Sequence, residues 1–205
     1  MTTDIVLAGV GGQGILSIAN VIGIAALEND LNLKQAEVHG MSQRGGDVQS
    51  NLRISDKPIA SDLIPLGGAD LIVSLEPMEA LRYLPYLNNQ GWLVTNTNPF
   101  VNIVNYPSVK EVMQELEQIE NLIAFDMDKM AKDLGSPRSS NMVLLGACSP
   151  FLKLPSELIE DGIRKFFAAK GDKIIDLNIK SFQAGRDTAL NFIKEGKKVR
   201  MSPLS

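Results

Sequence analysis

Short apolar runs and longer helical patterns alternate along most of the chain. Six segments are predicted to be strands: residues 5–8, 34–38, 48–54, 71–75, 93–95 and 122–125. Most of these are nearly continuous apolar runs, which is typical of strands buried on both faces. Residues 48–54 instead alternate apolar and polar side chains, which indicates a half-exposed strand of the kind common in antiparallel pairs.

Helical patterns occupy most of the segments between these strands. Helices are predicted over residues 15–27, 77–84, 108–119, 128–134, 141–148, 156–169 and 175–194. Ser108 and Glu111 have the spacing of a capping box, and Ser156 is predicted to cap its helix. The first helix is apolar on almost every side, so we expect a second layer or a partner chain to cover it in addition to the sheet.

Strands that alternate with helices predict an α/β fold. We expect three layers, in which an open, mainly parallel sheet lies between helices and begins with a Rossmann-like strand–turn–helix unit. The 205 residues contain no internal repeat, low-complexity segment or long linker, so a single domain over residues 1–205 is the simplest organisation.

The composition is that of an ordinary globular protein, and it restricts the expected partners. Hydrophobic residues make up 44% of the chain and charged residues 21%, and the net charge is −4. A mildly acidic chain lacks the positive field that holds nucleic acid or an anionic membrane, so neither is expected as a partner. There is no secretory signal pattern and no apolar stretch long enough to span a bilayer, which predicts a cytoplasmic protein.

A resident metal is not expected, since the chain has one cysteine and one histidine. Cys148 alone cannot form an internal disulfide or ligate an iron–sulfur cluster, and its apolar helical surroundings indicate a core position. Asp126 and Asp128 are candidate magnesium ligands, but the simpler prediction is that Asp128 caps the helix that follows.

The first candidate site is a glycine-rich turn between the first strand and the first helix. Its candidate contacts to a cofactor or substrate are Gly9, Gly11, Gly12, Gln13 and Gly14. The G-x-G-x-x-G spacing lets the backbone approach a phosphate at a helix N-terminus, and Glu37, 23 residues after Gly14, has the position of an acid that binds ribose hydroxyls. The pattern predicts contact with an anion, unless the glycines serve only a tight connection.

The second candidate site is the polar segment 39–46, which follows the second predicted strand. His39 is a weak candidate for proton transfer, and Arg44 is a candidate clamp for a carboxylate or phosphate. The further candidates for ligand contact are Ser42, Gln43, Gly45 and Gly46. Loops at the carboxyl ends of parallel strands bind ligands, so this segment and the glycine turn are predicted to face one crevice. The simpler alternatives are a hydrogen-bonded structural histidine and an ordinary ion pair of Arg44.

Four motifs resemble one family, the 2-oxoacid:ferredoxin oxidoreductases. Residues 9–15 resemble the opening signature of its gamma-type domain, and residues 37–46 followed by Val48 resemble the indolepyruvate branch, in which this domain forms the beta subunit. Residues 69–82 and 141–147 add two matches, and Asn141 in the last of them joins the candidate site residues. The matches extend over most of the chain.

This resemblance implies a subunit of an enzyme that decarboxylates an aryl 2-oxoacid, reduces ferredoxin and forms acyl-CoA. It implies a large alpha subunit that holds thiamine diphosphate, magnesium and iron–sulfur clusters, with ferredoxin reached through that subunit and coenzyme A as co-substrate. The sequence agrees, since it has no cysteine cluster and no Gly-Asp-Gly motif of the thiamine type. The chain is therefore expected to bind none of these cofactors alone, to be inactive by itself, and to complete the active site or the coenzyme A path.

Three alternatives stay open. The glycine pattern with Glu37 fits a stand-alone binder of NAD or FAD, although no acid–base set accompanies it. The lack of such a set also fits a non-catalytic interaction module. Within the family, a gamma subunit for another 2-oxoacid, such as pyruvate or 2-oxoglutarate, is the third alternative.

Overall fold

The computed structural model describes residues 1–39, 46–101 and 103–196, and only the backbone of His39. Six strands are found in these ranges: β1 (Thr2–Val10), β2 (Asn32–His39), β3 (Asp47–Ser55), β4 (Ala69–Ser74), β5 (Leu87–Asn96) and β6 (Leu122–Phe125). The helices of the same ranges are α1 (Ile15–Leu27), α2 (Pro77–Arg82), α3 (Val109–Glu117), α4 (Met127–Asp133), α5 (Ser140–Cys148), α6 (Ser156–Phe166) and α7 (Asp172–Glu195). Each predicted strand and helix therefore has a counterpart.

The strands form one mixed sheet in the order β2-β3-β1-β4-β5-β6. β1, β4, β5 and β6 are parallel, whereas β3 is antiparallel to both of its neighbours, β1 and β2. β2 consequently runs in the same direction as β1, and β3 alone runs the other way. The α/β fold with a mainly parallel sheet is confirmed, and so is the antiparallel pairing suggested by the alternation in β3.

Helices cover both faces of the sheet. α2 and α3 pack on one face around Val6 and Ile72, while α1 and α5 pack on the other around Leu7. α6 and α7 add an outer layer on the second face, with α6 over α1 and α7 over α5. A Cβ atom at Gly162 of α6 would lie 2.8 Å from the carbonyl oxygen of Val21, so the two helices approach closely. The apolar first helix is thus covered by a second layer of the same chain.

α5 and α7 approach each other even more closely, through two glycines. A Cβ atom at Gly146 would lie 1.8 Å from the carbonyl oxygen of Phe182, and one at Gly185 would lie 2.0 Å from that of Val143. Real Cβ atoms do not come so near to a backbone oxygen. The two helix backbones are therefore in direct contact, which leaves α5 buried between the sheet and α7.

Several helix ends differ from the prediction for local reasons. α2 ends at Arg82, because the chain passes into a short 3₁₀ turn, Leu84–Tyr86, that contains a proline. The capping box of Ser108 and Glu111 is confirmed. The predicted cap at Ser156 is wrong, because Ser156 is already the first helical residue and its side chain makes no capping bond. None of the helices in the described ranges is long and apolar enough to cross a membrane.

Candidate functional site

The loops that follow β1, β4 and β5 meet at one edge of the sheet. Parallel strands end at the same edge, and α/β proteins bind ligands there. The carbonyl oxygen of Leu75 accepts hydrogen bonds from Gln13 Nε2 at 3.2 Å and from Asn96 Nδ2 at 3.5 Å. This shared acceptor joins the three loops into one surface. We call that surface the carboxyl edge; it comprises residues 9–14, 75–76, 96–98 and 126–128.

The two segments singled out in the sequence approach each other at this edge. The strand register aligns both Gly9 and the backbone of His39 with Val48. The Gly11 N–H donates to the Gly46 carbonyl oxygen at 2.8 Å. The glycine turn therefore contacts the last residue of the second segment. The remaining candidates lie outside the described residues, and their roles stay predictions: the His39 side chain, Ser42, Gln43, Arg44 and Gly45.

The glycine turn is a tight connection that leaves backbone donors unused. Gly12 and Gly14 have φ angles of 102° and 81°, which glycine adopts far more readily than other residues. Gly14 is the N-cap of α1, and none of the described side chains caps this helix. In the described part of the chain, the N–H groups of Gly12, Ile15 and Leu16 have no acceptor. The positive end of α1 therefore offers donors to an anion.

Two amide side chains hold the turn in place, and one of them has an oxygen that accepts no hydrogen bond from the described residues. Gln13 Oε1 accepts the Val10 N–H at 2.7 Å, so the Gln13 amide links β1 to the loop after β4. Asn141 Nδ2 donates to the Gly14 carbonyl oxygen at 3.2 Å. Asn141 Oδ1 is buried and has no partner among the described residues. An unpaired buried acceptor costs roughly 1–3 kcal/mol, which a ligand donor beside the turn would recover.

Glu76 is a buried carboxylate at the end of β4, with 1% of its surface exposed. It caps α2 by accepting the Glu79 N–H at 2.8 Å. It also accepts the Phe100 N–H at 3.4 Å and the Tyr106 hydroxyl. Burial, reinforced by the bond to Glu76, raises the pKa of Tyr106 well above its usual range. Glu76 thus connects α2 to the loop between β5 and α3.

A second polar cluster lies on α2 beside Glu76. Arg82 donates to both carboxylate oxygens of Glu79, at 2.8 and 3.3 Å. Burial raises the pKa of Glu79, although the Arg82 bonds oppose this shift. The Tyr83 hydroxyl donates to Asp47 at 3.3 Å, and burial together with the charges of Asp47 and Glu79 raises the pKa of Tyr83. The cluster ties the end of α2 to the start of β3, directly after the second candidate segment.

The carboxylates after β6 are occupied by protein donors. Asp128 Oδ2 accepts from Asn96 Nδ2 and Asn98 Nδ2, each at 2.9 Å. Asp126 caps α4 by accepting the Lys129 N–H at 2.8 Å, so the predicted cap at Asp128 is wrong by two positions, because the helix starts earlier than expected. Across the described ranges, no three His, Cys, Asp or Glu side chains are grouped to hold a metal ion.

The strand order argues against a dinucleotide site. In dinucleotide-binding folds the acid that takes the ribose stands at the end of the strand next to β1. Here β3 lies between β1 and β2. Since neighbouring strands are about 4.8 Å apart, Glu37 stands roughly 10 Å from β1. Glu37 also accepts a hydrogen bond from Gln35 Nε2 at 2.6 Å. The glycine pattern is thus present without its acidic partner in the required place.

Sequence reasoning missed Asn96 and the wider role of Glu76 at the carboxyl edge, and it missed Tyr106, which binds Glu76. A polar residue directly after an apolar strand is a usable signal for Asn96 and Glu76. No local signal links Tyr106 to Glu76, because 30 residues separate them.

Comparison with known proteins gives a consistent result. Residues 4–188 match the family described as Pyruvate ferredoxin/flavodoxin oxidoreductase. The chain is 39% identical over 192 residues to Indolepyruvate oxidoreductase subunit IorB of Pyrococcus horikoshii, a match that covers 89% of this chain and 93% of the relative. It is 29% identical over 199 residues to 2-oxoglutarate synthase subunit KorC of Methanothermobacter marburgensis, covering 97% and 100% of the two chains.

A solved structure shares the fold. This is a 2-oxoglutarate:ferredoxin oxidoreductase from Magnetococcus marinus with 2-oxoglutarate, coenzyme A and succinyl-CoA bound, with a TM-score of 0.73 and 21% identity. The similarity covers 93% of this chain but only 31% of that longer chain. The resemblance inferred from four short motifs is therefore confirmed over nearly the whole sequence. The chain belongs to the pyruvate ferredoxin/flavodoxin oxidoreductase family.

Proposed function

We propose that this chain is the accessory subunit of a thiamine-dependent 2-oxoacid:ferredoxin oxidoreductase that acts on an aryl 2-oxoacid, with indolepyruvate as the first candidate. The observation that carries the substrate choice is 39% identity to a subunit named for indolepyruvate, against 29% to one named for 2-oxoglutarate. The complete enzyme releases CO₂, passes electrons to ferredoxin and forms acyl-CoA. Another 2-oxoacid remains the second candidate, since the KorC match spans that subunit entirely.

In this proposal the thiamine diphosphate, magnesium and iron–sulfur clusters belong to a large partner subunit. The residues of this chain do not fit a cluster, which requires several thiolates. Cys148 is its single cysteine, and the buried thiol donates to the Leu145 carbonyl oxygen. Burial raises the pKa of Cys148, so the thiol stays protonated. In this proposal the partner would hold the clusters that carry the electrons.

In this proposal the chain binds anionic groups of coenzyme A and substrate, and it covers one side of the cofactor site. The unused N–H groups at the start of α1 suit an anionic group, such as a phosphate of coenzyme A, and Asn141 Oδ1 offers an acceptor beside them. Arg44 and His39 are proposed to act on the substrate carboxylate from the neighbouring segment. Together these groups close one side of the cofactor site and exclude water from it.

Reconstitution tests this function. The chain is co-expressed with its large subunit, and viologen reduction is measured with coenzyme A and indolepyruvate, phenylpyruvate, pyruvate or 2-oxoglutarate. We expect activity only when both subunits are present, with kcat/KM about 10–100-fold higher for the aryl substrates, because an aryl pocket discriminates by apolar contact. A complex that forms but turns over none of the four 2-oxoacids would refute the proposal, and a preference for pyruvate or 2-oxoglutarate would favour the second candidate.

Two matched substitutions of Gly12 test whether a phosphate binds at the glycine turn. Gly12 is exposed, and a Cβ atom there would meet nothing within 4 Å. Asp and Asn share shape and backbone cost at this position, but only Gly12→Asp adds negative charge. We expect KM for coenzyme A to be about tenfold higher in Gly12→Asp than in Gly12→Asn, because like charges a few ångströms apart repel. KM for the 2-oxoacid serves as the internal control. If KM for coenzyme A is the same in the two variants, no phosphate of coenzyme A binds at Gly12.

A further inference from the structure

The loop between β5 and α3 is uncharged, and its described residues 97–101 and 103–108 include several exposed apolar side chains. Residues 97–108 contain no Asp, Glu, Lys or Arg, although the whole chain has 20 basic and 24 acidic residues among 205. Phe100, Val101, Ile103 and Val104 expose 46%, 65%, 45% and 103% of their surfaces. Several exposed apolar side chains within one short loop are typical of a contact surface.

This loop is held in place by a buried carboxylate. Glu76 accepts the Phe100 N–H at 3.4 Å and also the Tyr106 hydroxyl, so it holds the loop at two points, before and after the exposed Val101 and Val104. Asn98 Nδ2 fixes the start of the loop to Asp128 at 2.9 Å. No ion pair of the described residues involves Glu76. Burying a carboxylate without an ion pair is costly, and the hydrogen bonds from the Phe100 N–H and the Tyr106 hydroxyl offset part of that cost.

The position of the loop connects it with the candidate ligand site. Glu76 follows Leu75, whose carbonyl oxygen binds Gln13 of the glycine turn and Asn96 at the end of β5. A protein that covers the loop at this edge therefore also lies beside the glycine turn.

The names of the relatives favour a larger partner over a second copy, because they denote subunits of multi-subunit enzymes. A standard interface uses about 20–30 residues on each side. Four exposed apolar side chains are fewer than such an interface needs with any partner, so a larger area of this chain must take part in the contact. As the anchor within a broader contact they are sufficient, because a few apolar side chains carry most of the binding energy of an interface.

We propose that the β5–α3 loop, through its described residues 97–101 and 103–107, docks onto an apolar surface of the large partner subunit, and that Glu76 is the positioning residue that keeps the loop in its docking shape. This proposal rests on the proposed function. It identifies the surface that contacts the partner and the residue that keeps that surface in shape.

Binding of the full chain to the large subunit tests the proposal by calorimetry or surface capture. Val104→Asp places a charge on a fully exposed position, so we expect the Kd to rise at least tenfold while the Tm of the isolated chain is unchanged. The matched control is Leu66→Asp, because Leu66 is 69% exposed and lies before β4 at the opposite edge of the sheet. Its Kd should equal that of the wild type.

Tyr106→Phe tests the positioning role, because it removes one bond to Glu76 and leaves every exposed side chain in place. We expect faster amide exchange at Phe100 and a Kd several-fold higher. Wild-type binding by Val104→Asp, or an equal loss in Leu66→Asp, overturns the docking proposal. So does an isolated chain that dimerises through the loop, since the occupant would then be a second copy. If the wild-type chain itself neither binds the large subunit nor supports activity, the proposed function fails instead.

Discussion

Gly146→Ala and Gly185→Ala should each lower the free energy of unfolding by about 3 kcal/mol or more, because each adds a methyl group where two helix backbones touch. The new Cβ atom would lie 1.8 Å from the Phe182 carbonyl oxygen in the first variant and 2.0 Å from that of Val143 in the second. A backbone oxygen cannot rotate away as a side chain does. α7 must therefore move off α5, which loosens the buried core between α5 and the sheet.

The matched control is the same substitution in another helix. A Cβ atom at Gly23 of α1 would lie 3.3 Å from the end of the Leu33 side chain, which can adjust. Since alanine is favoured over glycine in a helix by about 1 kcal/mol, Gly23→Ala should be neutral or slightly stabilising. Urea unfolding is followed by the fluorescence of Trp92, the single tryptophan, which stacks on Phe151 at 4.6 Å. Equal stability of Gly146→Ala and Gly23→Ala would show that the helices are not in backbone contact.

Glu76→Ala should lower the free energy of unfolding by about 2–4 kcal/mol, because a helix cap and further hydrogen bonds to a buried carboxylate are lost together. The N–H groups of Glu79 and Phe100 and the Tyr106 hydroxyl lose their common acceptor. Glu76→Gln keeps one acceptor oxygen, so its loss should be about half as large. Thermal and urea unfolding measure both effects.

The control for Glu76 is another carboxylate at a helix start. Glu111 completes the capping box of α3 with Ser108 but stands in solvent. Glu111→Ala should therefore lower the free energy of unfolding clearly less than Glu76→Ala does. If the two variants lose the same stability, the hydrogen bonds of Glu76 to the β5–α3 loop contribute nothing beyond the cap.

Local patterns were sufficient for the elements and for part of the site. Apolar runs and helical periodicity depend on neighbouring residues, and they predicted each strand and helix of the described ranges, with errors confined to ends such as Ser156 and Arg82. The glycine turn was also found by spacing alone, because a strand-to-helix connection is local. The rule that parallel strands end at one edge predicted that this turn and the segment 39–46 face one crevice. The contact with Gly46 itself follows from the pairing of β3 with β1.

The features that could not be predicted from the sequence depend on contacts between residues far apart in the chain. The G-x-G-x-x-G pattern and Glu37 fit a dinucleotide site until β3 is placed between β1 and β2. The covering of α1 by α6, and the grip of Glu76 on Tyr106, join residues far apart in the chain. Such contacts have no periodic trace in the sequence.

The sequence by itself determined the order of strands and helices, the lack of a cysteine cluster, and a family resemblance that the comparisons confirm. The tertiary structure alone decided which strands are neighbours, which polar atoms at the carboxyl edge remain unpaired, and which apolar side chains stay exposed. The physical reason is the distance along the chain over which each interaction acts. Hydrogen bonding within a helix and alternation along a strand involve residues only a few positions apart. Burial and pairing depend instead on segments that only the folded chain brings together.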